Sequence, residues 1–582
     1  MRIRGILTVL LVVLCGGCYS FPVTSPVERI EASIDPERNH DGIEVAAQSP
    51  VDGASPQGII EGFFAAQESY ADGYHVARQF LTTQAAAKWK PETEATVYDS
   101  NAQTLVIGAD GGAVLQATLI GQVDADGVYT AVHDEAFTHD FKLVREDGQW
   151  RISNPPAGVL MGSQRFHRAF TAVPTYFFDA TGTRLVAQPV YVHLADIDAG
   201  AAEVLVRALI RGPRAWLRSA VMDALPAEIT SNGTRIDEDG IAHVNLGGSV
   251  EALSAEQRDM AATQLLATLS YLVSVRGLTI TANGRELSVD IADSQNVVRS
   301  SAIMDLRKAR DPLSKDLFAV AEGRVLRVSQ SGPQIADQLP GEIGQGWVSR
   351  PERLGVDWAG ETLAITTDNG TKLHVVNTGG GSPTLIHEGT SMLRPQYDVA
   401  GGLWTLDNTA SGPVMARIIG GQSFSVPLTE LAGRKVIAYR ISPDLTRLAL
   451  VVETQGAQEF GMMRIGVDRL TIDGWRPIPV NSRNGLLTTM RDVSFSGSDK
   501  VLLVAANAKD PQIAVHSFDL DAAEVGFQGP VSDVEVTAMA TLASPLAPYT
   551  AVLTSEGVVM RYEAQYRWPT VLDKVTEIAY PS

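Results

Sequence analysis

Three groups of residues in this chain have types and spacing that could do chemistry. His133, Asp134, Glu135, His139 and Asp140 form its one cluster of imidazoles and carboxylates. His133 and His139 are six apart, so a strand would carry both on one face. Zinc or manganese could use such a face. The plainer reading is a solvated edge strand ahead of a hairpin, and no metal site is expected. Arg207, Arg211, Arg214 and Arg218 recur at spacings of 4, 3 and 4. They could meet carboxylates or phosphates, although Gly212-Pro213 interrupts a shared helical face and leaves an ordinary solvated surface as the alternative. Cys15 and Cys18 have redox or metal spacing, but both sit at the end of an N-terminal leader.

That leader explains the cysteines. Arg2 and Arg4 precede an apolar run from Ile6 to Leu14, and Gly16-Gly17 lead into Cys18. Charge, short apolar core and small residues make a secretory signal. The run is too short to span a bilayer, which takes roughly 20 residues. A cysteine directly after two glycines resembles a bacterial lipobox, with Cys15 standing where Leu or Val is usual. The resemblance implies cleavage before Cys18 and acylation of its thiol, leaving a mature chain without disulfides. Two acyl chains suffice for stable attachment, at about 0.8 kcal/mol per buried methylene.

Composition limits the partners. The 582 residues carry a formal charge of −20, which argues against nucleic acid and against electrostatic adsorption to an anionic membrane. The 45% hydrophobic content supplies ample core, and the length suggests about three to four domains. No later stretch is apolar enough to span a membrane. Residues 18–55 read as a tether rich in Pro and acid, with a span of about 35 Å from random-coil scaling.

Residues 56–160 begin with a helix capped at Ser55-Pro56, with Ile59, Ile60, Phe63 and Phe64 at helical spacing, and a second short helix through Val76, Phe80 and Leu81. Strands follow at Thr96–Tyr98, Thr104–Ile107, Val114–Leu119 and Val128–Val132, the last after an Asp126-Gly127 turn. A pair around Asp147-Gly148 ends in Gly148-x-Trp150-x-Ile152. Helices first, then a curved antiparallel sheet, resembles the NTF2-like α+β cone fold.

Residues 170–300 carry a strand at Val190–His193, then a helix from Ala201 stopped by Gly212-Pro213. A hairpin on Asp239-Gly240 follows, and a Ser254/Gln257 capping box opens a helix expected to reach Val275. Leu278–Thr281 and Leu287–Asp290 are expected to pair across Asn283-Gly284. The order Val206-x-x-Leu209-x-x-Gly212-Pro213, Leu225-Pro226, Asp239-Gly240-x-Ala242-x-Val244-x-Leu246, long Leu-rich helix and Leu278-Thr279-Ile280-x-x-Asn283-Gly284 is similar to the α/β GerMN (sporulation and germination) domain. That resemblance implies an extracytoplasmic recognition module near the cell wall.

A short connector over Ser301–Arg310 leads to residues 313–582, which read as all-β. Related strand units start at Asp357, Asp398, Arg440 and Asp492, which are 41, 42 and 52 residues apart. This is close to a propeller blade period of about 40–50 and predicts about six blades, between five and seven, with first and last strands joined in one blade. Trp347, Trp358, Trp404, Trp475 and Trp568 are expected in blade cores, one or two of them on a binding face. Neither His374 nor His387 has a serine elbow near it. The sequence has no Gly-x-Ser-x-Gly, His-Glu-x-x-His, phosphate loop or dinucleotide fingerprint. No enzyme activity and no cofactor are expected.

Signal, lipobox, tether, NTF2-like unit, GerMN unit and propeller in this order resemble the LpqB lipoprotein family of actinobacteria. The resemblance implies a lipoprotein on the extracytoplasmic face of the cell membrane, attached through Cys18. It also implies an accessory of a two-component system, whose partner is the extracytoplasmic part of a sensor histidine kinase. The residues alone leave open a structural lipoprotein that binds peptidoglycan or glycan in the cell wall, or a propeller enzyme.

Overall fold

The computed structural model describes residues 47–582 except residues 70, 109–111, 195–199, 304–311, 330–335, 531–533, 544–548 and 565. The leader, Cys18, most of the tether and most of the Ser301–Arg310 connector lie outside the described residues. No helix among the described residues is long and apolar enough to cross a membrane.

The first unit opens with α1 (Pro56–Ala66), α2 (Ala71–Arg78) and α3 (Thr83–Lys88). Ser55 Oγ accepts from the Gly58 amide at 3.2 Å, and Pro56 takes the first helical position. α1 thereby buries Ile59, Ile60, Phe63 and Phe64. The two strands expected before Val114 are one long strand, β1 (Glu94–Ile107), whose pairing shifts around Tyr98. β1 lies between β2 (Ala113–Asp124) and β6 (Val159–Gly162), and β3 (Tyr129–Asp140) pairs with β2. The Trp150 strand does not extend this sheet as expected. β4 (Leu143–Glu146) and β5 (Gln149–Ile152) form a separate hairpin, and β6 runs parallel to β1. Ile152 instead bonds Phe80 and Thr82, so the hairpin closes over the helices.

A short helix α4 (Ser163–Ala169) leads directly into β7 (Phe170–Asp179), which pairs along its length with β8 (Leu185–His193) and then with β9 (Val221–Met222). Sequence periodicity missed α4 and β7, because Arg and His interrupt the apolar pattern of one and Pro174 that of the other. α5 (Ala201–Ile210) and α6 (Ala255–Leu269) share a core with Phe177, Val186, Leu205, Leu209, Leu265 and Leu266. β10 (Ile229–Ile236) and β11 (Ile241–Gly248) form the expected hairpin. β11 then pairs in parallel with β12 (Gly277–Ala282), α6 being the crossover.

Two expectations fail here for local reasons. α6 ends at Leu269, six residues before Val275, where Ser270 Oγ bonds back to Leu266 O at 2.6 Å. Ser274 and the β-branched Val273 and Val275 then give weak support to another helical turn. The capping box at Ser254 and Gln257 is formed. Across Asn283-Gly284, β13 (Arg285–Glu286) pairs for only two residues, β14 (Val298–Arg299) taking part of the remaining edge of β12. Asp259 Oδ1 captures the amides of Asp290 (2.8 Å) and Ile291 (3.3 Å) and draws the chain off the ladder.

Among the described residues the remaining chain forms six sheets of four or five strands, each antiparallel. In the first, Val575–Ala579 from the end of the chain pairs with Leu317–Ala321, so the ring closes on a blade shared by both ends of this region. That pairing leaves no unpaired inner edge at the closure. The tryptophans divide. Trp404 and Trp568 are buried as expected, whereas Trp347, Trp358 and Trp475 are half-buried at blade margins.

Candidate functional site

The residues singled out in the sequence are dispersed by the fold. His139 Nε2 lies 2.9 Å from Asn154 O, and its ring stands edge-on to Phe141, while His133 is exposed. Among the described residues no group of three His, Cys, Asp or Glu side chains is placed to hold a metal ion. The four arginines separate because α5 stops at Ile210. Arg207 pairs with Glu203 on the surface, Arg211 reaches Asp126 of the first unit at 3.1 Å, Arg214 is half-buried against Gln188 and Pro189, and Arg218 is exposed. One of the four, Arg211, therefore serves a contact between units.

Arg211 marks the site that does form. The Asp126-Gly127 turn between β2 and β3 presses against β8 of the second unit, and the Tyr191 amide donates to Gly127 O at 2.7 Å. A Cβ at Gly127 would lie 2.7 Å from Tyr191 O, and its φ is +73°, so glycine is required twice over. Beside this contact opens a cleft of about 360 Å³. Tyr74, Phe170, Tyr191 and His193 form its apolar floor, and Glu92, Glu94, Arg207 and Arg211 stand around it. Tyr74 and Phe170 meet the His193 ring edge-on, at 6.3 and 5.1 Å. Burial holds the imidazole down at about 4, against a small opposing pull from the Glu68 backbone, so it is neutral at pH 7.

The floor continues into a junction of all three units. Tyr191 packs on Tyr129 of the first unit at 5.5 Å and donates to Asp521 of the propeller at 3.2 Å. Asp521 is fully buried, which pushes its carboxyl up to about 6 despite Arg214 nearby. Propeller arginines grip the second unit's backbone, Arg447 at Ala187 O (2.6 Å) and Arg464 at Trp216 O (2.7 Å). Trp216 Nε1 returns a bond to Gly474 O at 2.6 Å. Asn481 reaches Val132 O of the first unit at 3.4 Å. Each of these bonds is part-buried or buried, so the units are pinned together by contacts that water does not fully screen.

Such an arrangement offers an aromatic floor with charged groups around it. Among the described residues the cleft lining carries no Ser, Thr or Cys to act as nucleophile, and its one imidazole lies in the apolar floor. Sequence reading missed the junction because Tyr191 and Asp521 look like ordinary strand and turn residues. The one available signal was Arg447, a cation inside the apolar run Leu445–Val452.

A helix-led unit, a GerMN-type unit and a six-bladed propeller, interlocked in one chain, define a multidomain protein built around a propeller. Three family models match in this order: "Lipoprotein LpqB, N-terminal domain" over 49–167, "Sporulation and spore germination" over 174–288, and "Lipoprotein LpqB beta-propeller domain" over 323–582. The chain belongs to the LpqB lipoprotein family. It is 28% identical to Lipoprotein LpqB of Cutibacterium acnes, over 97% of each chain. It is 27% identical to that of Mycolicibacterium smegmatis, over 94% of each. Among solved structures it is similar to the first GerMN domain of the sporulation protein GerM from Bacillus subtilis (20% identity, TM-score 0.19, 22% of this chain and 98% of that one). It is also similar to a chain of the nidogen/laminin complex (11% identity, TM-score 0.35, 46% of this chain and 98% of that one).

Proposed function

We propose that this protein is a lipid-anchored accessory of a two-component system. Acylated Cys18 holds it on the extracytoplasmic face of the cell membrane, and it modulates a sensor histidine kinase by contact with the sensor's extracytoplasmic part. The observation that carries this reading is the order of parts in one chain: a leader ending in Gly16-Gly17-Cys18, a tether, then three units bonded to one another. A body of this kind acts through its surfaces. Modulation requires only that the kinase distinguish bound from free by about 1–3 kcal/mol. Anchoring both partners in one layer supplies the effective concentration.

The test is kinase autophosphorylation in vesicles, with the acylated chain or its Cys18→Ala variant over a concentration series. The anchored form should change phosphorylation at low concentration and the variant only at higher concentration. No change with either form, at any concentration, overturns the kinase reading. A Cys18→Ala variant that stays membrane-bound in high salt overturns the anchor, since a charge of −20 offers no electrostatic substitute.

The cleft between the first two units favours a second reading, a lipoprotein that binds the cell wall. An aromatic floor with acids and arginines around it suits a glycan bearing a charged peptide. Retention on isolated cell wall, lost in Tyr74→Ala and Arg211→Ala variants, would support it.

A further inference from the structure

The propeller axis carries a charge imbalance that the contacts between units do not use. Six inner strands surround it: Arg353–Val356, Gln396–Tyr397, Lys435–Ile441, Gly485–Phe495, Val536–Leu542 and Val575–Ala579. These strands, with the residue pair leading into the second, bring Arg353, Arg394, Arg440, Asp492 and Glu577 together. Arg394 is the hub. Its Nε donates to Glu577 Oε1 at 2.7 Å, and its Nη1 to Asp492 Oδ2 at 3.1 Å and Met539 O at 2.7 Å. Arg353 Nη1 takes the other Glu577 oxygen at 3.3 Å. Asp492 also accepts the amides of Met539 and Val493, at 2.8 and 2.9 Å. Both carboxylates are thus saturated by two arginines and the backbone.

Arg440 is the third cation of this group, and it is left over. Its side chain makes no ion pair and no hydrogen bond to the described residues, although the residue is only 9% exposed. Burial, then repulsion from Arg394, pulls its guanidinium down to about 10, with Asp492, Tyr439 and Glu577 opposing. A buried cation without a partner is costly. Arg440 lines a cavity of about 50 Å³ at the C-terminal ends of the six inner strands. Thr541 lines the same cavity, and its Oγ1 is buried without a hydrogen-bond partner. Ser494 stands beside them, with Trp358 and Tyr397 in the wall. Gln396 is committed elsewhere, exchanging both its amide groups with the Ile441 backbone at 2.9 and 3.1 Å.

We propose that this axial cavity is a binding site for one small oxyanion, a carboxylate or phosphate group, held by Arg440 with Thr541 as second donor. The size fits: at about 10–15 Å³ per water, the cavity takes a few heavy atoms and excludes a nucleotide or a sugar chain. The charge fits too, since an anion makes up the balance that Asp492 and Glu577 leave open. A metal cation would face Arg440 directly, and a neutral ligand would leave the guanidinium charge unmatched.

The test is calorimetric titration of the full chain in detergent at pH 7, with inorganic phosphate in one arm and acetate in the other, for wild type, Arg440→Met and Thr541→Val. Wild type should bind at least one of the two anions at one site per chain. Arg440→Met should weaken that binding by about tenfold to a hundredfold, the range of a charge-assisted bond, and Thr541→Val by a smaller factor. Phosphate binding alone identifies a phosphate ligand, acetate alone a carboxylate, and both the shared oxyanion chemistry. Melting temperature without added anion is the control for folding. Arg440→Met should melt at or above wild type, because it removes an unpaired buried charge. If Arg440→Met fails to fold, the Thr541→Val titration decides the matter. Absence of binding of either anion to folded wild type overturns the proposal, as does equal binding to wild type and a folded variant.

Discussion

The Tyr191 hydroxyl and the Asp521 carboxylate, 330 residues apart in the chain, meet at 3.2 Å where the first unit, the second unit and the propeller converge. Burial raises both groups' affinity for protons, and the Tyr191 phenol is held well above its ordinary value, so it remains the donor. The pair fixes the floor of the cleft to the propeller.

Asp521 makes the junction pH-sensitive in a definite direction. Its folded value of about 6 lies above the unfolded carboxyl value, so the native state holds the extra proton in between. Stability from this group is fully present below about pH 4 and is lost as pH rises to about 6. Arg214, Arg476, Asp519 and Tyr191 face it and are included in that balance. An Asp521→Asn variant lacks this loss. Between pH 4 and 7 its stability relative to wild type should improve by roughly 1–3 kcal/mol, read from denaturant midpoints at each pH.

His516 acts oppositely. Burial in the fifth blade holds its imidazole at about 4, with the Ala505 backbone and Asp510 opposing weakly. The unfolded chain takes up the proton first. Stability is therefore present above about pH 6.5 and is lost as pH falls towards 4. His516→Phe, set edge-on against Phe527, should lose less stability than wild type between pH 7 and 4, by roughly 1–3 kcal/mol.

Local signals carried much of the architecture. Ser55-Pro56, the Ser254/Gln257 box and the hairpin turns at Asp126-Gly127, Asp239-Gly240 and Asn283-Gly284 each dictate backbone geometry within a few residues, and each forms. Spacing between Asp357, Asp398, Arg440 and Asp492 was enough for a propeller, because each blade repeats one antiparallel unit. Competition from distant groups was not legible. Asp259 captures the Asp290 and Ile291 amides and draws the chain off its ladder, and the Ser270 hydroxyl cuts α6 short, through contacts that no periodicity encodes. The site was the least legible part. Tyr191, Arg214, Arg440 and Asp521 become special only when blades and units bring them together, and their sequence neighbours give no hint of a partner. Cys18, by contrast, is read from its own neighbours alone.

The axial network predicts a contrast between two arginines. Arg394 joins Glu577 and Asp492 with its side chain 11% exposed, and those carboxylates outweigh its burial, so its proton is held more tightly than usual. Arg394→Met leaves two buried carboxylates short of a partner and should cost about 3–5 kcal/mol. Arg491 pairs with Glu535 at 3.3 Å with both side chains nearly half exposed, and Arg491→Ala should cost less than about 1 kcal/mol. Urea unfolding of the two variants separates them. Equal losses would mean that the network does not hold the inner strands together.

The last prediction concerns the turn that plugs the first unit into the second. Gly127 and Gly148 both have positive φ, +73° and +79°. A Cβ at Gly148 would meet nothing within 4 Å, whereas one at Gly127 would lie 2.7 Å from Tyr191 O and from Val190 Cγ1. Gly148→Ala thus reports the backbone cost alone, about 1 kcal/mol. Gly127→Ala adds a clash with a backbone oxygen, which cannot swing aside as a flexible side chain could. It must push the turn off β8 and loosen both the Tyr191 amide bond and the Arg211–Asp126 pair. Limited proteolysis should then cut between α4 and β7 faster in Gly127→Ala than in Gly148→Ala, with the propeller surviving intact in both. The cleft beside the turn should be lost in the first variant and kept in the second. If both variants are cut at the same rate, the turn contributes no more than its own conformation, and the first two units are held together by the floor residues alone.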